Sequence, residues 1–217
     1  QENGRFALSL LSEDLLRQDF WGDYTGTIDL SSINPVPGAP TGECNGDGIN
    51  NGTFPLADGH FRTLWGETVT NASIMGCITD AKLESDVLQL KRAVSSPEVD
   101  GAGDPITAAP AGNFYLVANI NSGTVISAGA VPAIDNAQVW QYQHHVYYVR
   151  EETVGDNVVP VLMQGQLGSQ LTFSPVVDGI DMIRFLYGVD TDSDGIVNAF
   201  VSADNMTQGY WNRANDS

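Results

Sequence analysis

The apolar residues change period once along this chain, and that change limits the folds open to it. Ala7, Leu8, Leu11 and Leu15 recur at helical spacing, with Phe6, Leu10 and Leu16 widening the stripe, which predicts an amphipathic helix. Glu13 and Arg17 stand four apart in the order that favours pairing. Gly22 and Gly26 are the expected stop, and no clear N-cap precedes Phe6, so the helix is expected to continue upstream of Gln1. Beyond residue 59 the pattern is different. Segments 87–94, 114–120, 124–127, 139–150, 158–164, 171–173 and 180–187 are rich in Val, Ile, Tyr and Phe, the composition of strands. One helix followed by an antiparallel sheet is an α+β plan in which the helix covers one sheet face. The expected division is a helical segment, 1–24, and a β-rich head, 25–217.

Between these elements lie long stretches of Gly, Pro, Asn and Ser. The longest, 25–59, holds Asn34-Pro35-Val36-Pro37-Gly38 and Asn45-Gly46-Asp47-Gly48, and a second runs over 95–112. Gly155-Asp156-Asn157 reads as a hairpin turn. Loops this long inside a compact domain need a pin. Cys44 and Cys77, the two cysteines of the chain, both fall in such segments. A disulfide between them would stabilise the fold by about 3 to 4 kcal/mol in the loop-entropy model; the alternative is two unrelated thiols. The 217 residues carry 27 acidic against 9 basic side chains, a net charge of −18. That excess argues against nucleic acid or an anionic membrane surface as a partner.

The run Asp190-Thr191-Asp192-Ser193-Asp194-Gly195-Ile196-Val197-Asn198 carries the clearest chemistry. Alternate residues of a tight turn aim oxygens at one centre, and hard divalent cations prefer oxygen, so the pattern predicts calcium (Ca2+) bound by Asp190, Asp192, Asp194, the Ile196 carbonyl and Asn198. Position twelve is Val201 rather than a bidentate Glu, and the flanks 185–187 and 199–201 are strand-like. The expectation is therefore an EF-hand-like loop between strands, with Asp204 as a further candidate ligand. The plain alternative is an Asp/Gly turn without an ion. Asp47, Asn50 and Asn51 form a weaker candidate for a second ion.

Catalytic signatures do not emerge. There is no Gly-x-Ser-x-Gly, no phosphate-cradling glycine loop and no His-Glu-x-x-His, so no catalytic residues are expected and the chain is read as non-enzymatic. His144 and His145 are adjacent in a strand-like run and point to opposite faces, and together with His60 they are expected at the surface or rim. Trp21, Trp65, Trp140 and Trp211, with Tyr142, Tyr147 and Tyr148, are read as core residues before an aromatic binding face. The sequons at Asn51, Asn71 and Asn205 are read as chance.

Several segments, in order, resemble one family, the PilW-type minor pilins of type IV pili in Gram-negative bacteria, which are similar to the J-type minor pseudopilins of type II secretion. They are Gln1-Glu2-Asn3-Gly4-Arg5-Phe6-Ala7-Leu8 with Leu11 and Asp14; Ser85-Asp86-Val87-Leu88-Gln89-Leu90-Lys91-Arg92; Phe114-Tyr115-Leu116-Val117; Val146-Tyr147-Tyr148-Val149-Arg150; and Gly179-Ile180-Asp181-Met182, running into Leu186-Tyr187-Gly188-Val189 and the Asp loop. The resemblance implies a pilin-like fold, an N-terminal helix packed on an antiparallel sheet with long loops. It also implies a cleaved leader and an apolar membrane helix upstream of Gln1, the sole link to the membrane. Other minor pilins and the major pilin are the implied partners, with a tip adhesin as a further candidate. The expected location is the inner membrane with a periplasmic head, then the pilus fibre or cell surface. Such an oxidising setting suits a Cys44–Cys77 disulfide. The resemblance further implies an apolar strand after residues 211–213 that this chain, ending at Ser217, does not show. The rival reading is a secreted, calcium-stabilised adhesin or carbohydrate-binding module.

Overall fold

The computed structural model describes residues 2–212. Helix α1 covers Glu2–Leu15. The strands that follow are β1 (Leu64–Thr68), β2 (Asp86–Pro97), β3 (Ala108–Ala109), β4 (Phe114–Ala118), β5 (Gly123–Ile126), β6 (Gly129–Ala130), β7 (Gln138–Val154), β8 (Asn157–Leu167), β9 (Leu171–Asp178), β10 (Leu186–Val189) and β11 (Ala199–Ser202), and the last element among the described residues is a short helix, α2 (Gln208–Trp211). The antiparallel sheet and single long helix expected from the apolar period are both present.

β7 organises the sheet. One of its edges pairs β2, while the other pairs β4 over Gln138–Tyr142 and then β8 over His145–Val154. β1 extends the sheet beyond β2, β5 beyond β4 and β9 beyond β8. The β7–β8 turn is the one the sequence marks, with Val154 opposite Asn157 and Gly155 at φ 64°, a backbone state that glycine adopts without penalty.

Alternation along β7 and β2 sorts the core into two layers. Leu88, Leu90, Tyr147, Val149 and Leu162 face Ala7 and Leu11 of α1. Val87, Ala93, Trp140, Tyr142, Val146 and Tyr148 face the other way and are covered by Trp21, Tyr24, Ile28, Ile33, Phe54 and Phe61. The long excursion is thus a packed cover whose occasional large apolar residues close the second face. Trp21, Trp65, Trp140 and Trp211 are all buried in this layer, as their reading as core residues anticipated. Cys44 and Cys77 form a disulfide, with Cα atoms 5.0 Å apart, tying the cover to the loop that follows β1.

Three expectations need correction. The helix ends at Leu15, before either glycine. Asp19 takes a left-handed conformation (φ 61°) and accepts a hydrogen bond from Trp21 Nε1 at 3.0 Å, which redirects the chain so that the Phe20 carbonyl accepts from Ala93 N. Gly22 then passes so close to the Trp140 ring that a Cβ would lie 2.3 Å from it. Segment 180–185 is an extended strap and only Leu186–Val189 is strand, because the strap spends its backbone bonds on side chains and on the start of β2: Asp86 N donates to the Ile183 carbonyl, and Phe185 N to Asp86 Oδ2. Finally, His144 and His145 are buried. They do point to opposite faces, but each face is covered.

Candidate metal loop and buried anchors

The Asp-rich loop occupies residues 190–198, the connection of the β10–β11 hairpin, whose register sets Val189 opposite Ala199. The strap holds the hairpin's start, and Tyr187 anchors it by packing edge-on against Trp211, centroids 4.9 Å apart. Within the loop, Asp190 Oδ1 accepts from Asp192 N and Ser193 N at 3.1 and 2.8 Å, and its Oδ2 accepts from Gly195 N at 2.7 Å. Asp194 Oδ1 accepts from Ile196 N. Desolvation pushes the Asp190 carboxyl up, and these N–H bonds more than offset it, leaving the group below the usual carboxylate range. Gly195 at φ 84° makes the turn.

Carboxylate oxygens of Asp190, Asp192 and Asp194 lie within 4.8 Å of one another. An all-oxygen donor set of this kind fits a hard divalent cation, which would neutralise three like charges at one point. Asn198 has another duty: its Oδ1 accepts from Thr191 N and Oγ1, and its Nδ2 donates to Asp192 Oδ1 at 2.9 Å. The same residue therefore holds the loop's two arms together. Asp204 lies in the 3-10 turn after β11 and accepts from Ser202; it is not part of the converging group. The weaker trio is not assembled as a ligand set. Asp47 Oδ2 accepts from Gln208 Nε2, and Asn50 Oδ1 accepts from Leu56 N and Ala57 N.

Two buried polar networks, one on each sheet face, were not anticipated. On the helix face, Asp14 of α1 accepts from Arg92 Nε at 2.8 Å and from Tyr147 Oη at 2.8 Å, and bonds His145 Nδ1 at 2.6 Å. Gln164 Nε2 donates in turn to Tyr147 Oη. Burial pushes the Asp14 carboxyl up, but His145, Arg92 and Tyr147 outweigh it and hold the group well below the usual range. On the loop face, Lys91 is fully buried and donates to the carbonyls of Asn51 and Arg62 at 3.1 and 2.8 Å. Gln89 Nε2 donates to the Asn51 carbonyl at 2.8 Å, and His144 Nδ1 bonds Thr53 Oγ1 at 3.2 Å. Arg62, also buried, reaches Asn212 Oδ1, Gln208 Oε1 and the Asp47 carbonyl, joining the cover to α2. A sequence signal existed for both: an acid where the helical stripe demands an apolar residue, and a Lys-Arg pair flanked by Leu90 and Ala93 in the middle of β2.

Residues 146–216 match the family model described as Type IV Pilus-assembly protein W. That segment is similar to PilW-type proteins. It takes in the second half of β7, β8, β9 and the hairpin with its Asp loop, the part of the chain that also carries the most specific of the resembling motifs. No curated protein and no solved structure matches the chain. Among the described residues no helix is long and apolar enough to cross a membrane.

Proposed function

We propose that this chain works in type IV pilus assembly as a non-enzymatic minor pilin, its β-rich head held on the N-terminal helix and its hairpin loop stabilised by calcium. The observation that carries this reading is the PilW match over residues 146–216. Supporting it, α1 buries only Ala7, Leu11 and Asp14 against the sheet, while its Phe6 and Leu8 remain exposed, as does Leu16 just past its end, at 85%. Apolar residues exposed along one helix suit packing against a neighbouring subunit. The non-enzymatic part of the reading draws on the Asp14–His145 pair, which is sealed between helix and sheet rather than open to a substrate. The adhesin or carbohydrate-binding reading loses its main support, since the tryptophans it would use are buried.

Calcium would be held by Asp190, Asp192 and Asp194, with the Ile196 carbonyl and Asn198 completing the oxygen set. Its chemistry there is charge neutralisation of a loop that presents a partner surface. Two measurements test the proposal. Sheared fibres from the source organism should contain the protein, with an N-methylated, processed N-terminus leading through an apolar helix into Gln1; a conventional signal-peptidase terminus close to Gln1 would discard the pilin. Adding calcium to chelator-treated protein should raise its melting temperature, and an unchanged value would remove the ion while leaving the pilin.

A further inference from the structure

Beneath the cover, Lys91 Nζ and the Asn51 side chain meet in a site with the parts needed for a covalent bond between them. Lys91 projects from the centre of β2 into the loop-face core, with Nζ 4.7 Å from the centroid of the Phe61 ring. Its acceptors are the Asn51 and Arg62 carbonyls and, at 3.4 Å, Asn51 Oδ1; these are neutral oxygens, and among the described residues no carboxylate bonds Nζ. Burial pushes the ammonium toward the free amine, with the Arg62 charge adding to it and Glu43 opposing it. Asn51 is buried as well, and its Oδ1 also faces Gln89 Nε2 at 3.3 Å, while its Nδ2 points away to the Asp47 carbonyl at 3.2 Å. Glu43 stands at the next residues of the same loop, its Oε1 accepting from Thr53 N at 2.6 Å.

We propose that Lys91 and Asn51 join as an intramolecular isopeptide bond that staples the long cover to β2. The Nζ lone pair attacks Asn51 Cγ, and the new C–N bond replaces the Cγ–Nδ2 bond. Gln89 Nε2 donates to the oxygen that gains charge as the carbon becomes tetrahedral. The proton that Nζ gives up is taken by the departing nitrogen, which leaves as ammonia. The reaction is redox-neutral and needs no co-reactant; holding amine and carboxamide in contact replaces the encounter that makes such aminolysis slow in water. With Cys44–Cys77, the loop would then carry two covalent ties, one to the β1–β2 connection and one to β2 itself. The inference does not depend on the role in pilus assembly.

Intact mass spectrometry of the purified folded protein tests it. The expected mass is lighter than that of the disulfide-bonded sequence by one ammonia, and a protease digest should yield a branched peptide joining the segments around residues 51 and 91. A mass without that loss overturns the proposal. Asn51-Gly52 is also a sequence that can close on itself to a succinimide or deamidate, so an ammonia loss confined to a linear peptide, or one that persists in Lys91→Arg, overturns it equally. Asn51→Asp should lose water in place of ammonia.

Discussion

The two faces of the β2–β7–β8 core are both closed over buried charge, and they manage it by opposite means. On the helix face the charge is matched: Asp14 meets Arg92, His145 and Tyr147, so one carboxylate has three donors and the ion pair is internally complete. On the loop face Lys91, which burial drives toward the free amine, meets only carbonyl and carboxamide oxygens, and the neighbouring His144 is held by a single hydroxyl. The last turn of α1 spends its carbonyls on the turn that follows, Ser12, Asp14 and Leu15 accepting from Leu16, Arg17 and Gln18, so a side chain of the helix supplies the counter-charge. An irregular loop has carbonyls to spare, and supplies those. The regular element is thus anchored by side chains and the irregular one by backbone, backed by a disulfide.

Breaking the helix anchor should have the largest effect. Asp14→Ala leaves Arg92 buried without its partner and should cost about 3 to 5 kcal/mol, read from urea unfolding; a loss below about 1 kcal/mol would show that the pair merely breaks even with its desolvation. On the loop face, removing the disulfide with a Cys44→Ala, Cys77→Ala double variant should cost about 3 to 4 kcal/mol. Hydrogen exchange should locate that loss in residues 41–63, leaving α1 protected.

The faces should also separate by pH. The Asp14 carboxyl lies below its unfolded value, so its stabilisation is complete above about pH 4 and is lost as the pH falls through the carboxylate range. His144 is also depressed, by burial first and then by Lys91 and His145, but as a base it is neutral in the fold and charged when unfolded. Its contribution therefore begins to fall once the pH drops below about 6.5. Unfolding midpoints measured from pH 8 to pH 3 should decline in two steps, and His144→Gln should remove the upper one only. A single step near pH 4 would mean that the loop face does not respond to acid.

How far these features were legible in the sequence follows the same division. The central strands β2, β4, β7 and β8, the Gly155 turn and the place of the Asp loop between strands rest on local chemistry, period and turn residues, and they stand close to where the sequence put them. The end of α1 was misplaced because the chain already leaves the helix at Leu15 and turns left-handed at Asp19, ahead of the left-handed Gly22, and the packing of Phe20 and Trp21 on the sheet favours that early exit. β1 was missed since Leu64-Trp65-Gly66-Glu67-Thr68 has little alternation and owes its strand state to β2. The burial of Lys91, Asp14 and both histidines depends on partners 29 to 133 residues away, which no window on the sequence contains.

Smaller effects sharpen the contrast between anchored core and exposed surface. Calcium at one hundred times its dissociation constant would stabilise the hairpin loop by about 2.7 kcal/mol, read from the thermal midpoint with and without chelator. If repulsion among the three carboxylates dominates in the ion-free loop, Asp192→Asn should recover part of that loss. Least of all, Arg17→Ala removes a pair with Glu13 at 3.8 Å on the exposed side of α1 and should change stability by no more than about 0.5 kcal/mol.

A protein that takes part in pilus assembly should be missed when its gene is removed, and the measurement is the number of surface pili on the deletion strain. The prediction is a loss of most fibres, restored by the full-length protein and not by a version carrying Asp14→Ala. Wild-type fibre numbers in the deletion strain would contradict it.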